Sequence, residues 1–331
     1  MTVWQRIRRW RPGKGALRIA GTLAIVGLVA WSVDIGQALA LLASADRDLL
    51  TVAFVALTLQ TVISAARWKI TAARLDHRFS LFVAVREYYL AQFLNQTLPG
   101  GMVGDAGRAY RARHGAGLVR SGQAVLFERL SGQIALIGVA APGFALTVLV
   151  PGGPSWPTTL GTIALGLAAG LVTVPLLIFG GSKAPGAVGR ASRDFIGAAQ
   201  GAIFAPEVLP WQVGLSLGTV ACNLAAFAAC AAATGTPLEP LAVVTIVPIV
   251  LLAMVVPLSV AGWGVREGAA AMLFPVLYAT PEAGVAASVA FGLVFLAVTL
   301  PGALVLAWES RRGRFRLGKG DGAPDKAGRA V

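Results

Sequence analysis

The chain has 331 residues, of which 56% are hydrophobic and only 13% are charged, and its mean hydropathy is +0.73. Soluble domains typically carry about 25% charged residues, so this composition excludes a soluble globular protein and indicates an integral membrane protein. The net charge of +13 does not indicate nucleic acid, because the basic residues gather at the ends of apolar segments, a pattern that orients membrane proteins. Anionic membrane lipid is the expected partner.

A series of apolar segments follows, several of them near the roughly 20 residues that a helix needs to cross a bilayer. The sequence predicts an all-α, polytopic membrane protein with about six to eight transmembrane helices, including re-entrant broken helices. In chain order the segments are Leu17 to Val33, Leu49 to Ala66, Phe79 to Leu98, Ala124 to Val150, Thr158 to Gly180, Leu209 to Thr234, Leu241 to Ser259, Ala269 to Ala279, and Ala283 to Trp308.

The charges between these segments predict the organisation and the orientation. Residues 1–16 form a basic cytoplasmic N-terminus, residues 17–308 a single transmembrane domain, and residues 309–331 a basic, disordered cytoplasmic tail. The first apolar segment is too long for a signal peptide and lacks a small-residue cleavage pattern, so we expect a retained helix. Between the loop at residues 183–193 and Leu209, the spacing of apolar residues from Asp194 to Val208 fits either a helix on the membrane surface or a plain connecting helix.

A first break, LPGGMVGDAGRA, interrupts the apolar pattern at residues 98–109. A full span at Phe79 to Leu98 would deliver the arginines between Arg108 and Arg120 to the outer face, against the positive-inside rule. We therefore predict a re-entrant segment that enters from the cytoplasm, breaks at LPGG and returns. Irregular backbone at membrane depth is tolerated only inside protein or beside a wet cavity, so this break is expected to border a cavity.

A second break, PLSVAGWGVREGAA at residues 257–270, repeats the same order of proline, glycines, charge and small residues. Paired glycine and proline breaks in the two halves of a membrane chain indicate an inverted repeat whose breaks meet at a binding site. If the second break re-enters from outside, the chain has six full spans and two re-entrant hairpins. Two complete spans at this position would leave the tail on the same side, and the sequence leaves both counts open.

The first break carries the residues that an anionic headgroup needs. We predict that Asp105 is the N-cap of a helix on which Arg108 and Arg111 share a face. Backbone N–H groups, the helix N-terminus and two guanidinium groups would together favour phosphate. The alternative is that the glycines turn the chain and the arginines only set the topology.

Further charges lie within apolar segments, where they are unfavourable unless they face a partner or a wet cavity. Glu128 and Arg129 open a long helix, and their alternative role is an ion pair at its interfacial end. Arg266 and Glu267 are predicted near the middle of the membrane, facing the first break. There the acidic residues Asp105 or Glu128 would compensate Arg266, and the first-half arginines Arg108 or Arg129 would face Glu267.

A polar stripe leads into the first break. Its residues recur at i, i+4, i+7 and i+8 and are Tyr88, Gln92, Asn95 and Gln96. They are candidates for lining a polar path, or for hydrogen bonds that join helices of the bundle.

Signatures of enzymes and of bound metals are missing. The sequence contains no GxSxG, P-loop or HExxH motif, so we expect neither an enzyme nor a cofactor, and any transport would use an ion gradient or run downhill. Cys222 and Cys230 are two helical turns apart, too far for a disulfide. His77 and His114 are expected to be solvated surface residues.

Five ordered motifs resemble the lysylphosphatidylglycerol synthase/flippase transmembrane-domain family of bacterial and archaeal inner-membrane proteins, over about residues 17–308. They are Arg67-Trp68, Asn95-x-x-Leu98-Pro99-Gly100, Gly104-Asp105 with Arg108, Glu128-Arg129, and Pro257-x-Ser259 leading to Gly262-x-Gly264-x-Arg266-Glu267. The resemblance implies a domain that, in bifunctional members, flips aminoacylated phosphatidylglycerol. Other relatives are connected with hopanoid, glycolipid or polyprenyl-linked lipids. Bifunctional members carry a synthase domain after the membrane part, and this sequence ends shortly after Trp308, so we expect no lysyl transfer.

The sequence thus favours a lipid flippase or transporter of the bacterial inner membrane, acting on an anionic or polyprenyl-type (glyco)lipid headgroup. One alternative is a non-transporting partner or scaffold of a lipid-modifying enzyme, and another is a membrane-embedded lipid transferase using Asp105, Glu128 and Arg266. The predicted substrate-binding residues are Asn95, Pro99, Gly100, Gly101, Gly104, Asp105, Arg108, Arg111, Glu128, Arg129, Ser259, Gly262, Gly264, Arg266 and Glu267.

Overall fold

The computed structural model describes residues 14–98, 102–114, 117–149, 173, 176–255 and 261–311, and all regular secondary structure in these ranges is helical. This confirms the predicted all-α membrane fold. The α-helices are α1 (Lys14–Ser32), α2 (Ile35–Ala43), α3 (Arg47–Ala73), α4 (Leu81–Thr97), α5 (Val103–Ala112), α6 (Gly117–Leu149), α7 (Gly186–Ala199), α8 (Leu209–Ala233), α9 (Pro240–Leu252), α10 (Val265–Leu273) and α11 (Pro281–Arg311).

Four helices, α3, α6, α8 and α11, are long and apolar enough to cross a bilayer. A fifth span is possible where α1 meets α2, although the two helices are bent by 94°. Helix α2 was not predicted, because it lies where the sequence indicated a loop. Of the predicted span Thr158 to Gly180, only residues 173 and 176–180 lie within the described residues, and they are helical.

The helix at the basic loop also differs from its prediction. Helix α7 begins at Gly186 and ends at Ala199, well before Val208, and a π-helical turn at Gln200–Phe204 follows it. Phe195 of α7 packs edge-on against Phe127 of α6, with ring centroids 5.1 Å apart. This aromatic contact ties α7 to the bundle.

The chain repeats one arrangement twice: a long helix, two short helices separated by a break, and a long helix. Helices α3 to α6 form the first copy, and α8 to α11 form the second. The two leading helices pack against each other along their length and run in opposite directions, because the Asp46 N–H donates to the Ala233 carbonyl at one end (3.0 Å) and Gln212 donates to Thr71 near the other (2.8 Å). The copies are therefore inverted with respect to each other, as predicted.

The contacts between the copies are reciprocal. Helix α4 packs on α11, and its counterpart α9 packs on α6. Both contacts use a Pro-Gly pair in the long helix, where a side chain on Gly302 would overlap the Tyr89 carbonyl and one on Gly143 would press on Thr245. Each hairpin is thus supported by the last long helix of the other half.

Helices α4 and α5 form the predicted re-entrant hairpin. Gly104 at the start of α5 lies so close to the Ala91 carbonyl that a Cβ would overlap it, and Arg111 near the end of α5 contacts Glu87 near the start of α4. The chain then reaches Gly117, which neighbours His77 just before α4. The two short helices therefore return the chain to the end of the bundle from which it came.

The second break is also a hairpin rather than two spans. Helix α9 has 13 residues and α10 has 9, and neither reaches the roughly 20 residues of a span. Because α8 runs opposite to α3, this hairpin enters from the opposite end of the bundle. Among the described residues, neither helix is long enough for the alternative of two complete spans.

The two ends of the bundle carry opposite charge. The acidic end is held partly by the Asp34 N–H, which donates to Glu282 (3.1 Å). Its acidic residues are Asp34, Asp46, Asp48, Glu239 and Glu282, against the single basic residue Arg47 within the described ranges. The basic end, where α3 ends and α6 begins, carries Lys69, Arg74, Arg78, Arg113, Arg120, Lys183, Arg190, Arg193 and Arg311, against Asp76, Asp194, Glu207 and Glu309.

Candidate functional site

Five charged side chains meet where α3, α5 and α6 cross, and four of them are buried. We call Arg67, Asp105, Arg108, Glu128 and Arg129 the basic cluster. Arg67 comes from α3, Asp105 and Arg108 from α5, and Glu128 and Arg129 from α6. The first break of the sequence therefore does contribute to a charged site.

The glycine at the start of α5 allows this hairpin to close. Because Gly104 has no side chain, α5 approaches α4 closely enough for the Gly104 N–H to donate to Asn95 Oδ1 (2.7 Å). Asn95 Nδ2 in turn donates to Asp105 Oδ2 (3.1 Å). The prediction that Asp105 is the N-cap is wrong: α5 begins at Val103, and Asp105 lies in its first turn.

Glu128 is the centre of the basic cluster. Its carboxylate accepts from Arg67 Nη2 at 2.6 Å, from Arg108 Nη2 at 3.2 Å and from the Tyr88 hydroxyl at 3.2 Å. No surface of the carboxylate is exposed. A buried carboxylate is tolerable only with such partners, so Glu128 depends on residues from three other helices.

Asp105 connects Arg108 with Arg129. Its Oδ1 lies 3.0 Å from Arg108 Nη2, and its Oδ2 lies 2.7 Å from Arg129 Nη2. Glu128 and Arg129, adjacent in sequence, therefore pair with different partners. The alternative of an ion pair between them at the end of the helix is wrong.

The basic cluster has more positive charge and more donors than its own residues satisfy. Three arginines face two carboxylates, which leaves one positive charge. Ser216 accepts from Arg67 Nη1 (3.1 Å), yet Arg67 Nε, Arg108 Nε, Arg108 Nη1 and Arg129 Nε are buried with no hydrogen-bond partner among the described residues. Each unsatisfied buried donor costs about 1–3 kcal/mol, so an anion would stabilise this arrangement.

Aromatic rings hold the innermost arginine in place. The Arg108 guanidinium lies 4.5 Å from the ring centroid of Trp68 and 4.6 Å from that of Tyr88. Cation–π contacts of this kind stabilise a desolvated guanidinium without using its N–H groups. The free N–H groups of Arg108 therefore stay available.

Arg111 does not join Arg108, although the two are three residues apart. It contacts Glu87 instead, and Glu87 also pairs with Arg86 (2.9 Å). Arg86 lies 3.9 Å from Glu309 of α11. These residues form a separate group closer to the basic end, so Arg111 does not join Arg108 in one phosphate site as predicted.

The second break holds a self-contained ion pair. Arg266 contacts the neighbouring Glu267, and Ser288 of α11 accepts from Arg266 Nε (2.9 Å) while donating to Glu267 Oε1 (3.0 Å). Glu267 also accepts from the Gly264 N–H (2.6 Å), which anchors the start of α10. Gly262 and Gly264 have φ values of 82° and 85°, which glycine adopts without strain.

The predicted pairing of Arg266 and Glu267 with charges of the first half is therefore wrong, whereas the tips of the two breaks, residues 99–101 and 256–260, lie outside the described residues. Ser288, which contacts Arg266, precedes Gly302, which contacts Tyr89 beside the basic cluster, by fourteen residues on α11. At 1.5 Å per residue they lie about 21 Å apart along the bundle. The hairpins enter from opposite ends, and the two arginines lie in different halves of the bundle.

Several other predictions can be compared with the structure. Pro99, Gly100, Gly101 and Ser259 lie outside the described residues. His77 is buried rather than solvated, whereas His114 is exposed as expected. Of the polar stripe, Tyr88 and Asn95 contact the basic cluster, and Gln92 accepts from Thr61 of α3 (3.1 Å), so these residues also join helices.

Arg67 was not among the predicted substrate-binding residues, although the Arg67-Trp68 motif contributed to the family resemblance. A signal was present, because polar residues recur along α3 at i, i+4, i+7 and i+11. They are Gln60, Ser64, Arg67 and Thr71, and all four are buried. That spacing indicates a buried polar face of the helix.

Within the described ranges no three histidine, cysteine, aspartate or glutamate side chains lie close enough together to hold a metal ion. No curated protein matches the chain. The family model described as "Lysylphosphatidylglycerol synthase TM region" matches residues 16–302, which include both breaks and the whole basic cluster. The chain is thus a multi-pass membrane protein that belongs to the lysylphosphatidylglycerol synthase transmembrane-region family.

Proposed function

We propose that this protein binds membrane lipids with an anionic headgroup in the basic cluster and moves them between the leaflets of the bacterial inner membrane. The observation that carries the proposal is the buried excess of one positive charge together with four guanidinium nitrogens that have no partner in the part of the chain that the structure describes. A phosphate group can accept hydrogen bonds from several guanidinium N–H groups at once. The family, whose description names a phospholipid synthase, supports a lipid as the source of that anion.

The inverted repeat supports transport rather than binding alone. In transporters with inverted repeats, two similar halves of opposite orientation rock against each other and expose a site to either side. Here each half contributes one hairpin, and the hairpins enter from opposite ends of the bundle. The proposal contains no chemical step on the lipid.

The charge of the two ends supports an orientation. The positive-inside rule places the basic end in the cytoplasm, and with it the N-terminus and the tail after α11. We expect a cysteine replacing His114 to react with an impermeant thiol reagent only from the cytoplasmic side, and one replacing Glu239 to react from outside, in a protein lacking Cys222 and Cys230. Labelling of residue 114 from outside would contradict this orientation.

The function is tested with the purified full-length protein in vesicles. Fluorescent phosphatidylglycerol and phosphatidylcholine are placed in both leaflets, and dithionite quenching measures how fast the inner pool reaches the outside. We expect the protein to accelerate exchange of phosphatidylglycerol more than that of phosphatidylcholine. Binding without exchange would favour the lipid-presenting partner, and exchange without headgroup preference would contradict the anionic site.

Substitutions of Arg108 test whether the basic cluster recognises the anionic headgroup. Arg108→Gln is expected to abolish the preference for phosphatidylglycerol, and Arg108→Lys to restore it only partly, because an ammonium cannot reproduce the geometry of a guanidinium. The control is Arg190→Gln, which removes an exposed arginine of α7 outside the basic cluster. Equal preference in wild type and Arg108→Gln would return Arg108 to a structural role.

A further inference from the structure

Arg129 differs from the other members of the basic cluster in exposure. The side chains of Arg67, Asp105, Arg108 and Glu128 are at most 5% exposed, whereas that of Arg129 is 40% exposed. One of its Nη atoms contacts Asp105 at 2.7 Å, and its Nε is buried without a partner within the described ranges. Arg129 is thus the member through which the buried cluster reaches the surface.

The position of Arg129 along its helix makes this exposure unusual. Arg129 follows the first residue of α6 by twelve positions, which places it about 18 Å along the helix from the basic end. Helix α6 is one of the four apolar spans. A charge exposed on a membrane-spanning helix is unfavourable unless it faces water or an anion.

The surface around Arg129 is largely apolar, with the half-buried Gln133 one turn further along α6. On α6, Leu126 is exposed and lies on the same face as Arg129, three residues earlier. On the adjoining α5 the exposed side chains are Val103, Ala106 and Tyr110, and Met102 just before α5 is also exposed. We call this surface, including Leu126 and Arg129, the α5–α6 face.

The two ends of the α5–α6 face fit the two parts of a lipid. Toward the break lie Met102 and Val103, which suit hydrocarbon. Toward the basic end, the Arg113 guanidinium lies 3.5 Å from the centroid of the Tyr110 ring, at the level where headgroups would lie. Between these levels, Arg129 is the charged group that connects the surface with Asp105 and, through it, with Arg108.

We infer that the α5–α6 face is the lateral opening through which an anionic phospholipid reaches the basic cluster, and that Arg129 is the residue that first binds its phosphate. This rests on the proposed function of the cluster. The acyl chains stay in the membrane against Met102, Val103 and Leu126. The phosphate replaces Asp105 as the partner of Arg129, and the unpaired N–H groups of Arg108 lie next on the path.

A lipid fits this face better than a soluble anion does. A free phosphate would have to reach Arg129 past exposed apolar side chains, whereas those side chains lower the free energy of a bound acyl chain. Arg67 and Glu128, buried on the other side of Arg108, hold the helices together and need not contact the lipid first. The opening and the inner cluster can therefore be tested separately.

The test uses two substitutions in the full-length protein in detergent, with dihexanoyl phosphatidylglycerol and glycerol 3-phosphate as separate probes. Arg129→Gln should weaken phosphatidylglycerol binding by about tenfold or more, as expected for a lost charge-assisted hydrogen bond. Ala106→Trp fills the exposed face without touching a charge, and it should weaken phosphatidylglycerol binding while leaving glycerol 3-phosphate binding unchanged. Arg190→Gln is the control and should bind both probes like wild type.

The possible failures are distinguishable. If wild type binds phosphatidylglycerol no better than phosphatidylcholine, the proposed function itself fails. If wild type prefers phosphatidylglycerol but Ala106→Trp binds it equally well, the lateral opening is wrong and the anion enters from the basic end. If Ala106→Trp only changes the oligomeric state, the face is an interface between two copies and the inference is overturned. Should Arg129→Gln fail to fold, Arg129→Lys and Ala106→Trp still decide the question.

Discussion

The two breaks are built on the same sequence motif but hold their arginines in different ways. Both read Pro-x-x-x-x-Gly-x-x-x-Arg, ending at Arg108 and at Arg266, and both arginines are buried between two aromatic rings. Arg266 is matched by its neighbour Glu267. Arg108 instead shares its two carboxylates with two further arginines and keeps unpaired N–H groups.

The two halves share the position of the buried arginine and differ in its counter-charge. The repeated motif places an arginine near the start of the returning helix. The source of the counter-charge then decides the net charge of each site. An adjacent glutamate neutralises the second site, whereas carboxylates shared with other arginines leave the first site with excess positive charge. We therefore expect substitutions in the two halves to behave differently.

The largest expected effect is in the first half, at Glu128. Glu128→Gln removes a carboxylate that compensates two buried arginines, and breaking a buried pair in this way costs about 3–5 kcal/mol. Thermal unfolding in detergent should show the loss. Glu207→Gln, which removes an exposed partner of Arg74, is the control and should change stability by less than about 0.5 kcal/mol.

In the second half, the stability lost on removing one charge should be recovered by removing the other. Glu267→Gln strands Arg266 and should cost about 3 kcal/mol, but adding Arg266→Met should recover most of the stability, because the pair has no other charged partner among the described residues. In the first half, adding Arg108→Met to Glu128→Gln should recover little, because Arg67 remains unpaired.

A double-mutant cycle between Arg266 and Asp105 is expected to be additive. Strong coupling in that cycle would show that the two breaks do meet.

Close packing of the first hairpin predicts an intermediate effect. Gly104→Ala places a Cβ against the Ala91 carbonyl, and such overpacking costs about 1–3 kcal/mol. The matched control is Gly138→Ala in α6, where a Cβ meets no atom within 4 Å and the helix propensity of alanine is higher. Equal melting temperatures for the two variants would contradict the close approach of α4 and α5.

The smallest expected effect depends on pH and belongs to the first half alone. Burial lowers the pKa of the His77 imidazole, which lies between α3 and α4. The unfolded chain then binds a proton more readily, so the contribution of His77 to stability is fully present above about pH 6.5 and is lost as the pH falls through the lowered pKa. His77→Gln should reduce the slope of stability against pH below 6.5. His114→Gln, at an exposed site, should leave the slope unchanged.

The local signals in the sequence were sufficient for the membrane class, the two breaks and the inverted repeat. These depend on composition and on glycine and proline, which act on the chain within a few residues of themselves. The re-entrant path of α4 and α5 also followed from the sequence, because charge between apolar segments sets topology residue by residue. The bend of 94° between α1 and α2 was not predicted, since both helices are apolar and no proline or glycine break of the same kind separates them.

The partners of the charges were decided only by the tertiary structure. Arg67, Arg108 and Glu128 are far apart in sequence, and they meet because α3, α5 and α6 cross at one level, which depends on how closely Gly104 lets α5 approach α4. Sequence reasoning paired Arg266 with the first half because a charge between apolar helices needs a partner. Arg266 does require a counter-charge, but the adjacent Glu267 provides it. Helix α10 begins at a glycine turn, which lets both side chains contact Ser288. An ion pair depends on distances of a few ångströms between side chains, and only packed helices set those distances.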